Sequence, residues 1–163
     1  MMGSEEKGID VATLKPEHQI AVEVLTGICN CMEQNAYPVV RDVQGAYLNI
    51  EIMGDDMRST YGRLGASLDA LQLLSNTIVA RRTRGDVRVI LDAGGYRERR
   101  IETLTERALE MAKAVKEHNQ EAEMEPLPPH ERRIIHTILM EDPDIRTFSE
   151  GEEPNRRIVV SPR

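Results

Sequence analysis

Apolar positions recur along this chain at two periods, and the switches between them mark out the elements. From Pro16 to about Asn35, the residues Ile20, Ala21, Val24, Leu25, Ile28 and Met32 fall at helical spacing, so they share one face of an amphipathic helix. Tyr37 to Val43, centred on Val39 and Val40, predicts a strand, and Gln44-Gly45 a turn. Ala46 to Ile52 alternates strictly, with Ala46, Leu48, Ile50 and Ile52 facing one way and Tyr47, Asn49 and Glu51 the other. That period of two is a strand with one buried face, and the two strands predict a hairpin. Asp55 or Asp56 can cap a short helical turn ending at Tyr61. Gly62-Arg63-Leu64-Gly65 interrupts it. A second helix follows, with Leu68, Leu71, Leu74, Ile78 and Val79 as its apolar face. Val87 to Asp92 predicts a third strand, which Ala93-Gly94-Gly95 ends.

The period then returns to the helical one. Arg97 to His118 carries a stripe of Ile101, Leu104, Ala108, Met111, Ala112 and Val115. Asn119–Glu125 predicts a loop leading into a short strand, in which Ala122 and Met124 alternate with acids. Three prolines, Pro126, Pro128 and Pro129, stop that segment. Proline is tolerated in a first helical turn, so a helix is expected over 129–140, with Ile134, Ile135, Ile138 and Leu139 facing the core. Glu141-Asp142-Pro143-Asp144 breaks it. Arg146–Ser149 and Arg156–Val160 then predict a hairpin across the loop from Glu150 to Asn155.

Composition bounds the function. The chain has 163 residues, enough for one ordinary domain or two small ones, and 40% are apolar. One Phe, four Tyr and no Trp make the expected core aliphatic and methionine-rich. The net charge of −7 argues against a general polyanion binder, but the charge is uneven. Residues 61–100 hold 8 basic and 4 acidic side chains, whereas residues 1–60 hold 4 and 10. A local basic face on an acidic protein suits selective, salt-sensitive nucleic-acid contact. Cys29 and Cys31 lie in a helical pattern with no second pair, which points to buried or partly buried thiols rather than zinc or a disulfide. No run spans a membrane and the acidic N-terminus lacks a signal-peptide pattern, so a cytoplasmic protein is expected. Residues 1–14 are expected to form a disordered tail.

Arg132 and His136 are four apart, so they share a helix face. On a wet face the arginine offers a planar fork of donors and the histidine a flat ring that can charge near neutral pH. His18 and His118 are expected on polar helix faces. The acidic clusters read as caps and turns, and no metal site or cofactor is expected. Nothing supplies His136 with a nucleophile or an orienting carboxylate, so no enzyme is expected.

Glu131-Arg132-Arg133-Ile134-Ile135-His136, Ser149-Glu150-Gly151-Glu152-Glu153-Pro154 and Arg156-Arg157 together resemble the R-three-H domain, named for its Arg-x-x-x-His, of the bacterial Jag family, also called SpoIIIJ-associated or KhpB proteins. The order helix, hairpin, helix–Gly-x-x-Gly–helix, strand, with Gly62-Arg63-Leu64-Gly65 and Ser67 to Leu74, looks like the bacterial KH domain that precedes it in this family. Leu64 departs from the basic or polar residue usual there.

The resemblance implies an α+β protein of two small domains: KH over 15–94, and R-three-H over 95–163 with a three-stranded sheet on two helices. It implies a non-catalytic binder of single-stranded RNA or DNA, an RNA chaperone or post-transcriptional regulator linked to cell elongation and division. In that role Gly62 to Gly65 would approach one part of the strand, because glycine permits close backbone contact and the next helix offers free N–H groups. Arg132, Arg133, His136, Arg156 and Arg157 would hold another part, and Arg81, Arg82 and Arg84 would steer it in. A small KH-domain protein is the implied protein partner. The alternative is an interaction module whose KH fold makes a homodimer. The separate N-terminal domain of many members is not expected here.

Overall fold

The computed structural model describes residues 8–32 and 35–163, and it divides into two compact units, Met1–Arg97 and Glu98–Arg163. The architecture is α+β.

In the first unit, helix α1 (Pro16–Cys31) opens with proline in its first turn. Strands β1 (Ala36–Gln44) and β2 (Tyr47–Gly54) form the expected hairpin, with Gly45 at φ +61° in the turn. A short helix α2 (Met57–Tyr61) follows, capped by Asp56, whose carboxylate accepts from the Ser59 N–H at 3.2 Å. Helix α3 (Ala66–Arg82) and strand β3 (Arg88–Ala93) complete the sheet in the order β1-β2-β3, with β2 and β3 parallel. Leu48, Ile50 and Ile52 alternate into the core against Ala21, Leu25, Leu68 and Val79. Ala46 lies outside the strand and is exposed.

Further expectations fail here. Residues 8–14 are not a tail. The Ile9 N–H donates to the Val40 carbonyl at 2.8 Å, a 3-10 turn forms at Val11–Thr13, and Val11 and Leu14 pack on the core; residues 1–7 lie outside the described set. Leu74 is 55% exposed, and the buried α3 residue beside it is Ser75. His18 is buried on α1, while Cys29 is buried and Cys31 exposed, since residues two apart diverge by about 200° around a helix. Burial holds the Cys29 thiol above its ordinary range. Residues 95–97 join the first unit, where Arg97 donates to the Leu91 carbonyl at 2.8 Å and to Asp69 at 3.1 Å.

The second unit contains helix α4 (Tyr96–His118) from Glu98 onward, strand β4 (Ala122–Glu123), helix α5 (Pro129–Leu139), and strands β5 (Ile145–Glu150) and β6 (Arg157–Pro162). The sheet order is β4-β6-β5, antiparallel throughout. Leu104, Ala108, Ala112 and Val115 meet Ile135, Leu139, Ile145, Ile158 and Val160 in its core. That core also holds an ion pair. Glu131, 2% exposed, accepts a bidentate pair from Arg100 at 2.7 and 2.9 Å. Among the described residues, no helix is long and apolar enough to cross a membrane.

Candidate nucleic-acid interface

Proline at 129 starts α5, and its 3.6-residue period sorts the motif residues. Ile135 and Leu139 point into the core, whereas Arg133 and His136 are exposed. Arg132 is not on the wet face that its spacing from His136 suggests. It is 8% exposed. Its Nε donates to the Leu127 carbonyl at 3.0 Å, and its guanidinium pairs with the Glu153 carboxylate. The arginine ties the proline-rich approach to α5 and the acidic loop after β5 into one piece. Arginine can do this because its fork of donors serves two acceptors at once.

A cleft of 380 Å³ opens between α5 and the end of the sheet, lined by Arg132, Arg133, His136, Thr147, Ser149 and Arg156 among others. The Nδ1 of His136 lies 2.5 Å from the Thr147 hydroxyl, which fixes the ring plane. Its partner is a hydroxyl and not the carboxylate that orients a catalytic base. Arg156 is exposed just before β6. Arg157, next along, pairs with Glu123 on β4 at 2.5 Å and does not line the cleft. Arg157 opens β6 beside β4, whereas Arg156 stands before the strand, which separates two arginines that look like one cluster in the sequence. On its other flank, Arg133 joins Ile101, Ile134 and Ile138 along a more apolar groove.

In the first unit, the Gly-x-x-Gly loop sits between α2 and α3 as expected. Gly62 and Gly65 have φ of +69° and +75°, and Leu64 itself is left-handed at +53°. A Cβ on Gly65 would lie 2.7 Å from the Tyr96 ring. Tyr96 in turn stacks on Tyr61, with centroids 4.4 Å apart. Arg63 is exposed at the tip. Arg81, Arg82 and Arg84 stand at the far end of α3, about 25 Å away along 17 residues at 1.5 Å each, so they do not share the loop's surface.

The model of the R-three-H domain family matches residues 102–162. The RNA-binding protein KhpB of Clostridium symbiosum is 42% identical over 114 residues, covering 70% of this chain and 51% of its own length. The protein of that name from Bacillus subtilis (strain 168) is 31% identical over 145 residues, 88% of this chain and 66% of its own. This chain belongs to the Jag (KhpB) family. A further member, the RNA-binding protein KhpB of Streptococcus pneumoniae strain D39, is 29% identical over 158 residues, 96% of this chain and 48% of its own. The chain thus spans about half to two thirds of the length of these relatives.

Several working residues of this Jag-family chain had no flag in the sequence. Thr147 and Glu153 are the partners of His136 and Arg132, and Arg100 is the partner of Glu131. Each contact joins residues 11 to 31 positions apart, which no local period reports. Glu153 lay inside the motif but read only as part of an acidic loop.

Proposed function

We propose that this chain binds single-stranded RNA without catalysing a reaction on it, as a cytoplasmic post-transcriptional regulator or RNA chaperone. The observation that carries the reading is the convergence of Arg133, His136 and Arg156 on one cleft, all three exposed. On a chain of net charge −7, such a local basic face favours selected over general polyanion contact. In this reading Arg133 and Arg156 hold phosphates and His136 meets a sugar or base. Arg132 positions the acidic loop rather than touching the strand, and Arg157 stays paired with Glu123. The Gly62–Gly65 loop offers a second, weaker contact through Arg63 and the first N–H groups of α3.

The test is fluorescence anisotropy of a labelled single-stranded RNA at several salt concentrations. Wild type is expected to bind with a negative log–log salt slope of roughly 0.7 per phosphate contacted. Arg133→Ala with Arg156→Ala should weaken binding and flatten the slope by about two such contacts. No binding at low salt would end the reading. A second reading, a homodimer or a complex with a small KH-domain protein, is favoured by Leu73 and Leu74, 69% and 55% exposed on α3. A molar mass by light scattering that stays monomeric across concentration would count against the homodimer.

A further inference from the structure

The cleft holds polar groups that belong to no side chain. In an antiparallel ladder, opposed residues alternate between pairs that exchange main-chain bonds and pairs that do not. The phase is fixed at two places on β6. The Arg163 N–H donates to the Asp144 carbonyl at 3.0 Å. With Arg146 opposite Ser161 and Phe148 opposite Val159, the bonded pairs are Arg146–Ser161, Phe148–Val159 and Glu150–Arg157. On the other side of β6, the Met124 N–H donates to the Ile158 carbonyl at 3.1 Å, and Ala122 stands opposite Val160. Ile158 and Val160 therefore bond toward β4, which agrees with the first phase. It follows that Thr147 and Ser149 turn their N–H and C=O groups away from β6. They lie on the outer edge of β5, the end strand of the sheet, and both residues line the basic cleft.

The first unit treats its edges differently. The Ile9 N–H donates to Val40 on the outer side of β1. On β3, the Asn76 side chain holds both the N–H and the carbonyl of Val89 at 2.8 Å, Gln72 accepts from the Leu91 N–H at 2.9 Å, and Arg97 donates to the Leu91 carbonyl at 2.8 Å. Open edges invite unwanted pairing and are normally covered.

We propose that the β5 edge at Thr147 and Ser149 reads the hydrogen-bonding edge of an unpaired RNA base, while Arg133 and Arg156 hold the flanking phosphates. This rests on the RNA-binding reading above. The edge presents donors and acceptors in a fixed order, as a base edge does, and unpaired bases are the part of RNA that proteins read. An extended peptide could use the same groups, but Arg133, His136 and Arg156 around them favour a polyanion.

The experiment uses the full chain with labelled hexamers of U, C, A and G and an abasic ribose-phosphate hexamer. Wild type is expected to prefer at least one base hexamer to the abasic one by roughly tenfold. Ser149→Pro deletes one outward N–H and none of the bonds to β6. It should cut that preference by about three- to tenfold while binding of the abasic hexamer, which offers no base edge, falls by less. Amide shifts in the wild-type protein give a measure that does not depend on the proline variant folding. Those of Thr147 and Ser149 should move with the preferred hexamer and not with the abasic one. Equal binding of base and abasic hexamers, or unmoved Thr147 and Ser149 amides under a hexamer that binds, would overturn the edge while leaving the phosphate cleft standing. Binding of no hexamer at low salt removes both readings. Shifts caused by an extended peptide alone would assign the edge to a protein segment and overturn the RNA assignment.

Discussion

Arg132→Ala separates a structural arginine from a binding one. Three losses follow from its surroundings. The Leu127 carbonyl, on a residue 2% exposed, loses the donor at 3.0 Å; a buried acceptor left unpaired costs about 1–3 kcal/mol. The pair with Glu153 is half in water on the carboxylate side, 52% exposed, and so contributes about 0–1 kcal/mol. The aliphatic stem leaves packing behind. The sum is a destabilisation of about 2–4 kcal/mol, confined to the second unit. Because the chain divides into two units, a single global transition is the wrong observable. Hydrogen exchange of the Ile158 and Val160 amides in the full chain reads the second unit directly. Expected is a drop in their protection by about 30- to 1000-fold, the same 2–4 kcal/mol, with Val89 and Leu91 in the first unit unchanged. RNA affinity should fall less than in Arg133→Ala under conditions where both variants are folded. Protection within about twofold of wild type, combined with a larger affinity loss than Arg133→Ala, would refute the reasoning and return Arg132 to the strand.

Two further outcomes follow from the geometry. Gly65→Ala puts a Cβ 2.7 Å from the Tyr96 ring at a φ of +75°, so hydrogen exchange of the Val89 and Leu91 amides should report a loss of about 1–3 kcal/mol in the first unit; unchanged protection would mean that the loop shifts freely off Tyr96. Hydrogen bonds from Arg107 and Lys116 hold the Glu125 and Asp142 carboxyls below their ordinary range. Both bind fewer protons folded than unfolded, so their contribution is complete above about pH 5 and is lost as pH falls through their lowered folded values. Glu125→Gln with Asp142→Asn should flatten the acid limb of the stability profile, most clearly at low salt, and an unaltered limb would sink this assignment.

The local pattern by itself determined the elements and their order. Leu48, Ile50 and Ile52 can bury together only as a strand, and Leu104, Ala108, Ala112 and Val115 only as a helix, because a side chain's direction repeats with a fixed period in each. The motif around Arg132 and His136, and the Gly62–Gly65 loop between two helices, were likewise legible, since both are contiguous. Spacing could place Arg132 and His136 on one helix face but could not say what stands opposite it. Leu127 and Glu153 arrive there from other segments, bury the arginine and leave Arg133, His136 and Arg156 to form the cleft. The same holds for residues 8–14, which look like a polar tail until the edge of β1 offers them the Val40 carbonyl. It holds too for the open edge at Thr147 and Ser149, whose phase depends on how β6 is shared between β4 and β5. A period describes one element, whereas burial, ion pairing and free main-chain edges depend on which elements meet, and only the tertiary structure decides that.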